Sequence, residues 1–358
     1  MLTPRWGWVG ILCLAVCLGY ARQNPPAGAG TPGDVPGTDQ NIVLDVVVTN
    51  KAGKPVTGLG QQDFTVLDNK QPQKLAYFQP VESGGKSAPP TEVILMVDGV
   101  NGSFANVANV RDQILAFLKK DASELQGPTS ILLLTLSETT MWTSSAHDSV
   151  ALLEALNAGR SGQIVTAKSP ESYGIEGSQQ LPLYTLDQLA GYEASRPGRK
   201  MVIWISPGWP LLSDQEGGLS SKEQDRLFGT IVSLSDKLRR ARVAIYDIDP
   251  LGLADAGSFE TNDYDQFIKG VKKSREVEIG DLGLQILATQ TGGRVLNSSN
   301  DMASSIATCL TDSTAYYVLA FPRPAGDGPN EYHSLEIKLG KPGLTARTRT
   351  GYYAQPAR

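Results

Sequence analysis

The feature that most constrains this 358-residue chain is a series of continuous apolar runs in its middle, separated by segments of helical periodicity. Val93-Ile94-Leu95-Met96-Val97 ends in Asp98, and residues 130–136, 201–205, 243–246 and 293–296 repeat the pattern. A run with no polar alternation suits a strand covered on both faces. Between the runs, Val107, Val110, Ile114, Phe117 and Leu118 fall on one helical stripe, and Leu227, Ile231, Leu234 and Leu238 fall on another. Further helices are expected over 148–156, 183–192 and 280–290, and a short edge strand at Met141-Trp142-Thr143. Strand–helix alternation from about 91 to 312 specifies an α/β domain: a mainly parallel sheet with helices on both faces.

The flanks follow a different rule. Over 41–82, Ile42-Val43-Leu44-Asp45-Val46-Val47-Val48, Phe64-Thr65-Val66-Leu67 and Lys74-Leu75-Ala76-Tyr77-Phe78 are separated by turn residues with no helix between them. Such spacing indicates antiparallel strands. Three strands cannot close a core, and the partners stand at the far end. Over 315–354, Ala315 to Phe321, His333 to Leu339 and Thr345 to Thr350 again read as strands. Both ends are therefore expected to complete one small antiparallel β-sandwich, with the α/β domain inserted between them and a hinge at 83–90.

Residues 1–21 carry one charge, Arg5, an apolar core and small residues at Gly19 and Ala21, the pattern of a secretory signal. Its apolar stretch is shorter than the roughly 20 residues of a membrane-crossing helix. The expected location is secreted or periplasmic, with membrane attachment only if this segment is retained or lipidated at Cys17. Residues 22–40 form a flexible Pro/Gly-rich linker. Within it Gly28-Ala29-Gly30-Thr31-Pro32-Gly33 matches a dinucleotide-binding pattern but follows no strand. The net charge of −5 lacks the clustered Lys and Arg of a nucleic-acid surface. Cys13 and Cys17 leave with the signal, and Cys309, on an apolar helical face with Met302 and Ile306, is expected to be a buried small residue.

The order of several short motifs carries a resemblance. They are Asp63-Phe64-x-Val66, the strand ending in Asp98, Gly198-Arg199-Lys200 before an apolar run, Thr291-Gly292-Gly293-Arg294, Tyr316-Tyr317-Val318-Leu319 and Gly351-Tyr352-Tyr353. Over about 41–353 the chain resembles von Willebrand factor A-related proteins of the type common in acidobacterial genomes. The resemblance implies a von Willebrand factor A/Rossmann-like sheet whose strand carboxyl ends bind ligands. It also implies a divalent-cation site: Asp-x-Ser-x-Ser after the first strand, a Thr before a middle helix and an Asp after the fourth strand. Here Asp98 keeps the first place, Val100 and Gly102 replace the two Ser, the Thr position falls near Leu181, and Ser206 replaces the distal Asp. A hard ion such as Mg²⁺ needs oxygen ligands, and most of that set is gone.

The candidate ligand-binding rim is Asp98, Asn101, Ser103, Ser206, Trp209 and Asp247. Three readings stay open. The first is a non-enzymatic binding protein that needs no cofactor and contacts a protein or cell-envelope ligand, with Trp209 either anchoring the partner or packing over its own loop. The second is a cation-dependent adhesion protein in which Asp98, Asn101 and Ser103 rearrange around Mg²⁺ or Mn²⁺. The third is a hydrolase using Asp98, Asp247 and Asp249, although no nucleophile stands beside a base. His147 and His333 are expected to be exposed, Arg239-Arg240 and Lys272-Lys273 to be solvated helix faces, and 255–266 to be an acidic loop.

Overall fold

The computed structural model describes residues 35, 37–38, 40–85, 89–101, 104–120, 125, 127–135, 138–144, 152, 163–167, 177–209, 219–250, 267–297, 299–324 and 328–355. The signal segment, most of the linker, Ser103, His147, the helix expected at 148–156 (apart from 152) and the acidic loop lie outside the described residues.

The apolar runs form one seven-stranded sheet. Its strands are β5 (Glu92–Asp98), β6 (Thr129–Leu134), β7 (Glu138–Ser144), β8 (Gln163–Ala167), β9 (Lys200–Ile205), β10 (Val243–Ile248) and β11 (Val295–Leu296). They lie in the order β11-β10-β9-β5-β6-β7-β8. From β11 to β6 every neighbour is parallel, whereas β7 and β8 are added antiparallel. Met141-Trp142-Thr143 is thus not at the edge. It lies within β7, covered by a strand at 163–167 that has too little apolar sequence to announce itself.

Every residue of β5, β9 and β10 is buried, as unbroken apolar runs require. Alternate side chains go to opposite faces. Ile94, Met96, Val202, Trp204 and Ile245 join one apolar cluster, and Val93, Leu95, Val97, Ile203 and Tyr246 join the other. The first cluster packs beneath α2 (Gly177–Glu193), α3 (Ser221–Arg240) and α4 (Leu284–Gln290); the second packs beneath α1 (Phe104–Lys120) and α5 (Met302–Thr314). Helix α3 starts at a capping box, with Ser220 Oγ accepting from Glu223 N–H and Glu223 Oε2 accepting from Ser220 N–H at 2.8 Å. It ends with Lys237, Arg239 and Arg240, cations placed at the negative end of the helix dipole. The helix expected over 280–290 is split into a 3-10 turn at Ile279–Leu282 and α4, because Gly283 is extended.

The two chain ends build two four-stranded sheets. Their strands are β1 (Asn41–Asn50), β2 (Phe64–Asp68), β3 (Gln71–Gln73), β4 (Tyr77–Glu82), β12 (Ala315–Pro322), β13 (Tyr332–Leu339), β14 (Leu344–Arg347) and β15 (Gly351–Tyr353). One sheet runs β14-β1-β12-β4 and the other β15-β13-β2-β3. Leu44, Val46, Val66, Tyr317, Leu319 and Phe321 fill the space between them. The third strand expected at 74–78 is corrected to two. Asn69 and Lys70, both with positive φ (46° and 67°), make a tight hairpin into β3, and the chain then crosses to the other sheet as β4 beside β12.

The sandwich docks on the amino-terminal edge of the parallel sheet through buried ions. Asp312, with a fully buried side chain, accepts from Arg294 Nε (3.0 Å) and Nη2 (2.8 Å), from Tyr246 Oη (3.0 Å) and from Arg347 Nη2. Burial pushes its carboxyl up, but Arg294 and Arg347 outweigh burial and hold it below the usual range. The glycine pair before Arg294 is required by close approach. A Cβ on Gly293 would overlap the Ile245 carbonyl oxygen, and Gly292 has φ +88°.

Candidate functional site

Strand β5 delivers Asp98 to the carboxyl end of the sheet, between β6 and β9. Its side chain turns back into the protein and is 2% exposed. Oδ1 accepts the backbone N–H groups of Val100 and Asn101, each at 2.9 Å. Oδ2 accepts from Asn101 Nδ2 at 2.9 Å and Ser206 Oγ at 3.0 Å, with Trp204 Nε1 further off at 3.4 Å. A carboxylate offers about four lone-pair directions, and four close donors occupy them. The loop is an Asx-type turn closed over its own acid.

The other positions implied by the metal motif carry carbon or an inward-facing hydroxyl. Val100 packs against the apolar cluster, Leu181 is inside it, and Ser206 is fully buried with its Oγ spent on Asp98. The residues present do not fit a divalent cation of the implied type. Among the described residues no group of three or more His, Cys, Asp or Glu is arranged to hold a metal ion.

Four of the candidate rim residues, Asp98 together with Trp209, Ser206 and Asp247, are corrected from surface to interior. Trp209 is 6% exposed and meets Trp204 edge to face with ring centroids 5.1 Å apart, so its large apolar area goes into the core. Ser206 is buried as described, and Asp247 is 1% exposed. Burial, followed by the charges of Asp249 and Asp98, raises the Asp247 carboxyl well above its usual range; Gln285 opposes the rise. Neither Asp98 nor Asp247 offers an open carboxylate for acid–base work. What the described edge presents outward is the partly exposed Val100-Asn101 turn, Pro207-Gly208 and Asp249-Pro250. Ser103 lies outside the described residues.

Two other expectations change. His333 is not exposed: it faces inward from β13, 5% exposed, with Nδ1 2.8 Å from Asp68 Oδ1 and its ring stacked on Tyr352 at 4.8 Å. Tyr352 Oη donates to Asp68 Oδ2 at 2.7 Å, closing a polar network inside the sandwich. Arg239 is 2% exposed and held by Asp236, so only part of the Arg239-Arg240 pair is a solvated face, whereas Lys272 and Lys273 are exposed as expected but lie before a 3-10 turn and not on a helix. Cys309 is fully buried, and burial raises its thiol far above the usual range. Tyr246 is fully buried.

Sequence reasoning missed the polar residues at the junction of sheet and sandwich. Arg199 and Arg294 stood in quoted motifs, but nothing in one sequence says that Asp312, in a helix of ordinary composition, is their common partner.

No family model matches the chain, and no curated protein matches it. Among solved structures, it is similar to a mutant of the PilB minor pilin from Streptococcus sanguinis, at 9% identity and TM-score 0.37, covering 75% of this chain and 78% of that one. It is also similar to the pilus adhesin SpaC from Lactobacillus rhamnosus GG in an open conformation, at 12% identity and TM-score 0.37, covering 85% of this chain and 49% of that one. A secreted C11 cysteine protease from Bacteroides thetaiotaomicron matches at 12% identity and TM-score 0.23, covering 45% of this chain and 46% of that one. Among the described residues no helix is long and apolar enough to cross a membrane.

Proposed function

We propose that this chain is an exported, non-enzymatic binding protein related to the von Willebrand factor A domains, and that it contacts a protein or cell-envelope ligand without a metal. The contact surface is the carboxyl edge of the sheet, at the Val100-Asn101 turn, Pro207-Gly208 and Asp249-Pro250. The observation that carries the metal-free part is the Asp98 carboxylate, whose oxygens already accept from Val100, Asn101 and Ser206. A partner's acidic group has no open cation to complete there. The non-enzymatic part is supported by the burial of Asp98 and Asp247, the acids a hydrolase would need in the open. An edge of this kind, at the strand ends of an open α/β sheet, is where such sheets bind ligands.

The test is binding of the full mature chain to cell-envelope fractions in EDTA and in Mg²⁺. Equal binding in both, weakened by N101R together with P207R, is expected. Binding abolished by EDTA and restored by Mg²⁺ would replace this reading with a cation-dependent one, and no binding to any envelope fraction would remove it.

A further inference from the structure

We infer that a small cavity where the sandwich meets the amino-terminal edge of the parallel sheet is a site for one monovalent inorganic anion of halide size. The cavity is about 20 Å³, just above what a single water requires. Arg199, Arg239, Arg242 and Arg349 line it, and Asp45 is the one carboxylate among the lining residues. They come from β1, the start of β9, the end of α3 and the link between β14 and β15, so the cavity lies on the seam between the two parts of the fold.

The partners of these cations are unevenly shared. Arg242 takes both oxygens of Asp45, with Nε at 3.2 Å from Oδ2. Arg199 spends Nη1 on the Asp312 carbonyl (2.6 Å) and Nη2 on Tyr246 Oη (2.9 Å). Arg239 spends Nη1 on the Thr38 carbonyl (3.1 Å) and Nη2 on Asp236 (2.6 Å). The Nε groups of Arg199 and Arg239 are buried with no acceptor among the described residues. Arg349 is 7% exposed, and among the described residues its guanidinium has neither a hydrogen bond nor an ion pair. Asp45 is claimed by Arg242, which leaves donors and positive charge in excess around one void.

A buried cation without a counter-charge is costly. Water in the cavity would supply acceptors but no charge; an anion supplies both. The strain registers on Arg349, whose guanidinium is pushed down to about 9 by burial and by the neighbouring Arg239 charge. Asp45 and Asp236 oppose that fall without cancelling it. The bound ion would bridge sandwich and sheet, so occupancy would stabilise the whole chain rather than one part.

The experiment uses the full mature chain. Its melting temperature is measured against sodium chloride and against sodium gluconate at matched ionic strength, so that general screening cancels. A saturable rise of several degrees specific to chloride is expected, and R349M should abolish that difference. A second arm does not depend on the variant's folding: crystals of the unaltered chain grown in bromide should show an anomalous peak in the cavity within hydrogen-bond reach of Arg349. Equal melting in both salts would overturn the inference, as would a cavity without anomalous signal. A bromide peak unaccompanied by a chloride-specific rise would mark an adventitious ion only and would also overturn it.

Discussion

Replacing Asp312 with alanine would test whether the sandwich and the parallel sheet are held together by one buried carboxylate. The wild-type side chain is fully buried, and Arg294 and Arg347, each 25% exposed, converge on it with Tyr246. Removing one member of a buried ion pair costs about 3–5 kcal/mol when the remaining charge is stranded. Here the two arginines can turn partly to solvent, which favours the lower end for the ionic loss. Tyr246 cannot: it is fully buried, and its hydroxyl loses an acceptor, a cost of about 1–3 kcal/mol. Together these give about 4 kcal/mol for D312A, or roughly 6 °C in melting temperature for a chain of this size. Urea unfolding should show the midpoint falling with an unchanged slope. A double-mutant cycle with R347M should then return a coupling of about 1–3 kcal/mol, because the second change removes a charge already stranded. A loss below about 1 kcal/mol with no coupling would refute the hub reading and leave apolar packing as the tie between the two parts.

Stability should also fall as pH rises from 4.5 through about 7, because burial, and then the Glu92 charge, raise Glu193 from 4.5 to about 7. A raised folded value means that the stabilising protonated form is complete below 4.5 and lost through 7, a change of up to about 3 kcal/mol. Arg196 and Lys200, which face the same cluster, moderate it, and E193Q should flatten the profile between those pH values in calorimetric scans. W209A should cost about 3–5 kcal/mol in chemical unfolding by emptying the space beside Trp204, with envelope binding unchanged in whatever fraction stays folded. G293A should cost about 3 kcal/mol or more, since the added carbon would overlap the Ile245 carbonyl oxygen. A thermal midpoint within about a degree of wild type would contradict that overlap.

The legibility of the parts follows from the range of the forces involved. The runs at 93–97, 201–205 and 243–246 are legible as central strands because covering both faces of a strand forbids polar residues along it. Strands β7 and β8 are less legible. They are the last two strands at one margin of the sheet, β8 having a neighbour on one side only, and both carry polar residues (Glu138, Thr139, Thr140, Gln163 and Thr166) that break the apolar run. At the site, the substitution of Val100 and Ser206 for metal-binding types is visible residue by residue, but the fate of the remaining Asp98 is not. Whether a carboxylate faces a solvent-open cleft or folds back onto Asn101 and Ser206 depends on side chains from strands 108 residues apart in the chain. Trp209 shows the same limit: a loop position after a strand end says nothing about which way an indole turns.

The sequence by itself determined the layers: apolar periodicity over 91–312 dictates helices on both faces of a parallel sheet, and the strands at 41–48 and 315–321 dictate that the two ends meet, as β1 and β12 do in antiparallel register. Tertiary structure alone decided where charge is buried. Asp45, Arg199, Asp312 and Arg349 look ordinary in one dimension, and become a docking seam only when strands distant in the chain bring them together. The physical reason is that hydrophobic pattern is written locally in every strand and helix, whereas the compensation of a buried charge depends on a partner that only the closed fold supplies.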